Sequence, residues 1–397
     1  MTSSPVVLQL LPSLGIGGVE QGAVDMAEAV AKAGGRALVA SESGSLLPHL
    51  RYVGGEFREL PLPKKWSPFV FRRKVKELQA LIRRDKVQLV HARSRYPAWV
   101  AAQACKRENI PLVTTWHGVH KARSFIKRSY NAGLLKGDRV IAVSSHIAQR
   151  LQAEYRVSAE RLVTIARGSD PQRFSVGTVS GTRVQALVDR WHIPEDQPVI
   201  VLPGRVTSWK GHGLLVEALG QLATEYPAVP WVCVFVGPET DPAFARRVHR
   251  RACDLGIADR LRFVGPCEDM PAVYTLAHMA VVPSCRPEPF GRVAVEAQMM
   301  GCPVIGSAQG GLAETIIPHE TGLLVPPQDS VALEKAIVTF LMMDPYDRAE
   351  MGECAVAHVL KRYTKQQMQR ETLGVYDALL GTSLQGHFDQ QQGEGFS

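Results

Sequence analysis

The sequence predicts an α/β protein made of two doubly wound domains, each a parallel sheet with helices on both faces. Three observations carry this. The chain has 397 residues, too many for one ordinary core, so two domains of roughly 150–200 residues are expected. Short apolar runs ending in Gly, Ser or His alternate with amphipathic stretches, the pattern of parallel strands joined by crossover helices. That pattern breaks once, at residues 167–195, where Gly-, Ser- and Pro-rich turns surround a single helical stretch at 183–191. The domains expected are therefore 1–172 and 173–363, followed by further helical sequence and a polar, Gly/Gln-rich tail, 382–397, expected to be disordered.

In the first domain, residues 5–11 form a strand that runs into a loop with Gly15, Gly17 and Gly18, then a helix to about residue 33. Such a loop can cradle an anion. It does not match the dinucleotide fingerprint, because the third glycine is missing and Glu20 stands in the motif. Strands follow at 36–41, 55–60, 87–90, 112–115, 139–144 and 161–166, with helices at 64–86, 96–107 and 146–155. In a doubly wound sheet ligands bind beyond the carboxyl ends of the strands. His91, His117, Ser144 and the loop 14–18 are placed there by this reading.

The second domain restarts the same order. A strand at 199–202 leads into a loop carrying Arg205 and Lys210, then a helix at 213–226. Strands at 231–236 and 262–264 and helices at 243–255 and 270–277 come next. The apolar run 279–283 opens a strand–loop–helix–strand unit: loop 284–291, helix 292–300, strand 303–306, then Gly310-Gly311 and a helix from 312. Helices at 331–341, 345–360 and 364–380 complete the chain.

The chemistry concentrates in two loops of this domain. Arg205 and Lys210 sit on a Gly-bounded loop at a strand end; the lysine offers a point charge and the arginine a two-pronged donor, together suited to a diphosphate. Glu288 lies in a loop with free amides, and Glu296 lies eight residues later inside the helix. A carboxylate in such a helix can accept hydrogen bonds from ribose hydroxyls. Alone, each is an ordinary surface charge; the combination points to a nucleotide-sugar.

Bulk properties narrow the setting. Composition is that of a globular protein, 45% apolar and 21% charged. No run of about 18 apolar residues predicts a membrane span, and residues 1–18, without Lys or Arg, read as a first strand and loop rather than a signal peptide. Seven scattered cysteines without a C-x-x-C pair indicate reduced thiols in a cytoplasmic protein, with no metal site. Net charge is uneven: +15 for residues 1–180 and −7 for the rest. The first half is thus expected to meet something acidic, a phospholipid surface, a phosphorylated substrate or a nucleic acid. Residues 64–86 hold nine basic and two acidic residues, with Trp66, Phe69 and Phe71 at their start. They read either as a membrane-surface helix or as a domain helix that wets its charges. Residues 121–136 carry a second basic group.

The patterns G-R-x-x-x-x-K-G, P-S-x-x-x-E-P-F-G-x-x-x-x-E-A and G-G-x-x-E resemble those of the retaining glycosyltransferases of family 4, with Glu288 and Glu296 meeting the spacing of their E-x7-E motif. The resemblance covers nearly the whole chain and is sharper in the second half. It implies the GT-B fold, two Rossmann-like domains facing a cleft, with acceptor-side domain first and donor domain second, and a final helix (364–381) crossing back to the first. It implies that Arg205 and Lys210 contact the donor diphosphate; that Glu288, with Pro289 and the amides of Phe290 and Gly291, contacts the transferred sugar; and that Glu296 contacts the ribose. Gly17 and Gly18 would face the donor, His117 would line the sugar, and Val264, Met270 and Tyr274 would hold the base. Arg167 stands where the family often has Asn. No D-x-D is present, so transfer without metal or other cofactor is expected, assisted by the departing phosphate. The acceptor expected is an acidic, lipid-linked or lipopolysaccharide-type envelope glycan at the cytoplasmic membrane face, with no nucleic-acid partner. Competing readings are a GT-B epimerase or synthase, an NAD-dependent oxidoreductase using the Gly15–Gly18 loop, and a non-catalytic membrane-recruited binding protein.

Overall fold

The structure, a computed structural model, describes residues 4–15, 17–63, 67–119 and 124–394. Lys64, Lys65, Trp66, Lys121 and Arg123, which belong to the two expected basic segments, lie outside the described residues, as do the last three of the tail. The chain forms two compact units, one of residues 1–166 with 365–397 and the other of residues 167–364.

The first unit alternates strands and helices: β1 (Val6–Ser13), α1 (Gly18–Lys32), β2 (Arg36–Glu42), α2 (Leu47–Tyr52), β3 (Glu56–Glu59), α3 (Pro68–Asp85), β4 (Leu89–Ala92), α4 (Arg95–Glu108), β5 (Leu112–Trp116), α5 (Phe125–Asn131), β6 (Arg139–Ala142), α6 (Ser145–Tyr155) and β7 (Leu162–Thr164). The seven strands are parallel in the order β3-β2-β1-β4-β5-β6-β7. Strands covered on both faces are apolar throughout rather than alternating, and the first six residues of β1 are all buried. One face packs Val75, Leu78 and Ile82 of α3 with Ala98, Val100 and Ala101 of α4. The other packs Ala23, Ala27 and Val30 of α1.

The second unit contains α7 (Gly181–Trp191), β8 (Val199–Pro203), α8 (His212–Glu225), β9 (Val232–Val236), α9 (Pro242–Asp254), β10 (Leu261–Gly265), α10 (Met270–Leu276), β11 (Met279–Val282), α11 (Arg292–Met299), β12 (Val304–Ser307), α12 (Leu312–Thr315), β13 (Gly322–Val325), α13 (Ser330–Met342) and α14 (Pro345–Arg362). Its six parallel strands run β10-β9-β8-β11-β12-β13. Aspartates start the helices where apolar periodicity begins. Asp241, Asp269 and Asp329 each accept from a backbone N–H of the first turn of α9, α10 and α13. Strand β13 and helix α2 were not expected from the sequence; both are short and lack a long periodic pattern.

The chain then returns to the first unit as α15 (Lys365–Leu380) and α16 (Leu384–Glu394). Helix α15 is anchored beneath the sheet. The Tyr376 hydroxyl accepts from Gln9 Nε2 at 3.0 Å and lies 2.6 Å from His91 Nδ1, while His91 Nε2 is 2.6 Å from Thr115 Oγ1. His91, expected at a ligand-facing strand end, is therefore a fully buried core residue. Burial, then the charge of Arg93, holds its imidazole well below the usual range.

The tail also differs from expectation: residues 384–394 are helical, not disordered. Leu384 and Phe388, four apart, are both buried against α1 and α15, and Asp377 accepts from the backbone N–H groups of Leu384 and Gln385. Two apolar residues on one helical face and a carboxylate supplied from the preceding helix outweigh a polar composition.

Candidate functional site: a crevice at the strand switch of the second unit

In the order β10-β9-β8-β11-β12-β13 the connections reverse direction between β8 and β11. The two loops leaving the carboxyl ends of those strands must diverge there, which opens a crevice. The loop after β8 carries Arg205 and Lys210; the loop after β11 carries Glu288, Pro289, Phe290 and Gly291. Residues 78 apart in sequence are thereby brought together.

Lys210 Nζ donates to Glu288 Oε1 at 2.7 Å, and Ser284 Oγ donates to the same oxygen at 2.6 Å. Glu288 is 7% exposed, and these two donors satisfy its buried oxygen. The Lys210 ammonium also lies 4.5 Å from the Trp209 ring centroid, a cation–π contact that narrows where the side chain can point. Ser284 and Trp209 were not singled out from sequence, where a serine before a proline-rich loop and a tryptophan before a lysine look ordinary. Arg205 is exposed at the rim of the same loop.

Glycines let the loops approach this closely. Gly211 has φ +85°, and a Cβ there would sit 2.0 Å from Pro283 O. Gly310 has φ +62°, and its Cβ would lie 2.5 Å from Glu288 O; Gly311 N donates to that carbonyl at 2.8 Å. Gln309 Nε2 donates to Ser284 O at 2.6 Å. The Gly310-Gly311 pair thus clamps the Glu288 loop from the side of β12, and Phe290 packs edge-on against Tyr363 with ring centroids 5.5 Å apart.

Glu296 lies on α11, the helix that starts at this loop. Tyr274 Oη donates to its Oε2 at 3.3 Å, and Arg292 Nε lies 3.2 Å from its Oε1. Tyr274, expected to line a base pocket with Val264 and Met270, is 1% exposed, with its hydroxyl engaged by Glu296. Burial, with the Glu296 charge beside it, pushes the phenol well above its usual range, so it donates rather than ionises. Val264 lies in β10 and Met270 opens α10.

His117, Gly17 and Gly18 belong to the first unit. His117 follows β5 in a turn closed by Trp116 Nε1 donating to Gly118 O at 2.7 Å. Gly17 caps α1 in an extended conformation, φ 172°; a Cβ there would meet only the Glu20 carboxylate, the movable end of a flexible side chain. Ser144 is a structural cap, its hydroxyl accepting from Ile147 N at 3.2 Å.

Residues 16–173 match the family Glycosyltransferase Family 4, and residues 185–357 match Glycosyl transferases group 1. A D-inositol 3-phosphate glycosyltransferase of Acidothermus cellulolyticus is 31% identical over 348 residues, 80% of this chain and 74% of the relative. One of Salinispora tropica is 29% identical over 314 residues, 72% of this chain, and the match spans 63% of that relative's length. A glycosyltransferase structure from Rickettsia africae aligns with a TM-score of 0.88 at 30% identity, covering 96% of this chain and 100% of that one. With the two doubly wound sheets and the E-x7-E residues at the strand switch, these similarities establish that the chain belongs to the family 4 glycosyltransferases of GT-B fold.

Proposed function

We propose that the protein transfers a hexosyl group from a nucleotide-sugar to an anionic acceptor with retention of anomeric configuration. The observation that carries this is the 2.7 Å Lys210–Glu288 pair at the β8/β11 switch. An ammonium has three donors; one is committed to Glu288, which leaves two for the oxygens of a diphosphate. Arg205 adds a second cation from the same loop. Glu288 orients Lys210 and, with the Phe290 and Gly291 amides, meets the sugar hydroxyls. Glu296, held by Tyr274, meets the ribose, and Val264 and Met270 take the base side.

In the reaction the anomeric C–O bond to the β-phosphate breaks and a C–O bond to the acceptor hydroxyl forms on the same face. The acceptor proton passes to a departing phosphate oxygen. The cations stabilise the charge that develops on the leaving diphosphate, an effect of the kind worth about 3–4 kcal/mol per donor in other enzymes. This chemistry requires no metal or other cofactor. His117, Gly17 and Gly18 are assigned to the same reaction on the family resemblance alone.

For the acceptor, the inositol phosphate in the relatives' names and the +15 charge of residues 1–180 both favour a phosphate-bearing molecule. We place it at the cytoplasmic face of the membrane as a lipid-linked or lipopolysaccharide-type glycan. The test is a thermal-shift screen against UDP-, GDP- and ADP-sugars, followed by product analysis with a labelled donor and phosphorylated acceptors. Label appearing in a glycoside supports transfer. Label confined to an isomerised or hydrolysed donor would replace it with the epimerase reading.

A further inference from the structure

Three large apolar side chains of the first unit stand almost wholly in solvent: Phe69 is 84%, Phe125 85% and Ile126 80% exposed. Single exposed hydrophobes need no explanation, but neighbouring ones do.

Phe69 opens α3 and Phe125 opens α5, the helices that follow β3 and β5. Both strands are parallel in one sheet, so both helices begin at its carboxyl edge. The first turn of α4 ties them together. Phe71 packs edge-on against Tyr96, centroids 6.3 Å apart. The adjacent Arg95 lies over the Tyr130 ring at 5.2 Å and donates to Asn131 Oδ1 at 3.1 Å. Helix α5 has seven residues, about 10 Å, and its far end, at Tyr130 and Asn131, is the part held by Arg95.

The apolar tips have basic neighbours. Along α3, Phe69, Arg72, Arg73 and Lys76 recur at the i, i+3, i+4, i+7 spacing of one face, and all four are exposed. The opposite face buries Val75, Leu78, Leu81 and Ile82. Next to Phe125 and Ile126 stand Lys127 and Arg128, and no acidic residue occurs in α5. Among the described residues, no carboxylate pairs with Arg72, Lys76 or Lys127. Ser124 accepts from Lys127 N at 3.3 Å, fixing the first turn that presents Phe125 and Ile126. Separate apolar tips in a basic rim match a surface whose apolar layer lies beneath an anionic one. Among the described residues, no helix is long and apolar enough to cross a membrane.

We infer that the first unit docks on an anionic lipid bilayer, with Phe69, Phe125 and Ile126 entering the interface and Arg72, Lys76 and Lys127 resting on the headgroups. The inference takes its purpose from the proposed transfer to a membrane-borne acceptor, but its test uses neither donor nor acceptor.

The full chain is sedimented with vesicles of phosphatidylglycerol and phosphatidylcholine, and with phosphatidylcholine alone, at 0.05 and 0.15 M salt (roughly spanning the range where surface charges are screened). Binding to the anionic vesicles, weakened by salt, is expected. The triple variant Phe69→Ser/Phe125→Ser/Ile126→Ser is expected to bind them at least tenfold more weakly with its melting temperature unchanged. Arg72→Gln/Lys76→Gln/Lys127→Gln is expected to lower both affinity and salt dependence. Failure of the parent to bind anionic vesicles, or equal binding by the serine variant, overturns the inference. Self-association in ultracentrifugation that the serine variant abolishes, without vesicle binding, would assign the surface to a second copy instead. Donor-induced thermal shift in the serine variant separates this outcome from failure of the transfer reading.

Discussion

Lys210 and Glu288 face each other across the β8/β11 switch at 2.7 Å, with their side chains 14% and 9% exposed. Removing either leaves the other partly buried without its main partner. Lys210→Ala and Glu288→Ala are each expected to lower turnover by about 10²–10³-fold while the protein stays folded. A double-mutant cycle on stability should show coupling of about 0.5–3 kcal/mol. Near-parental turnover by either single variant would dismiss the site.

Tyr274 donates to Glu296 without reaching the surface. Tyr274→Phe keeps the ring and deletes the donor. If Glu296 binds ribose, the donor KM should rise several-fold while kcat changes less, because the lost bond orients a group away from the reacting carbon. A fall in kcat at unchanged KM would place Tyr274 in the chemistry instead.

Gly211 leaves no room for a side chain. Gly211→Ala places a methyl carbon 2.0 Å from Pro283 O at φ +85°, and a cost of about 2–4 kcal/mol is expected. The shift would separate the Lys210 and Glu288 loops, so donor-induced thermal stabilisation should be lost along with stability. Gly213→Ala, in open space two residues later within α8, is the control: it should keep the donor-induced stabilisation and leave stability equal or slightly raised.

His212 begins α8 with no exposed surface and packs against Phe235 with ring centroids 5.2 Å apart and planes tilted by 53°. Burial, with the Lys210 charge nearby, lowers its pKa to about 4. The unfolded imidazole titrates near 6.5. Below about pH 6.5 the unfolded chain takes up a proton that the folded chain refuses. The contribution is therefore complete above that pH and is lost as pH falls toward 4, by up to about 3 kcal/mol. Denaturant melts of the parent and His212→Asn between pH 7 and 4 should show the parent losing more stability over that window.

Helix α16 was expected to be disordered and is packed instead. Ending the chain after Gly381 removes the buried Leu384 and Phe388. A loss of about 2–4 kcal/mol is expected after allowing for the ordering entropy regained. An unchanged melting temperature would show that α16 contributes nothing to the first unit.

Much of the fold was legible because parallel strands and crossover helices write themselves as local periods. The apolar runs at 199–202 and 279–283, the Gly that follows each loop, and the E-x7-E spacing are properties of short stretches. They determined the fold class, the family resemblance and the candidate residues Arg205, Lys210, Glu288 and Glu296. What local sequence could not carry is contact between distant segments. The reversal of strand order between β8 and β11 put Lys210 on Glu288. The pairing of β11 with β12 set Gly310 against the Glu288 backbone. Tertiary packing likewise set the Tyr274 hydroxyl against Glu296, made His91 a core residue under Tyr376, and ordered a polar tail through two apolar side chains and Asp377. It also left Phe69, Phe125 and Ile126 uncovered. Periodicity reports which face of an element is apolar, and only the assembled chain decides which of those faces meets a partner and which is left to water.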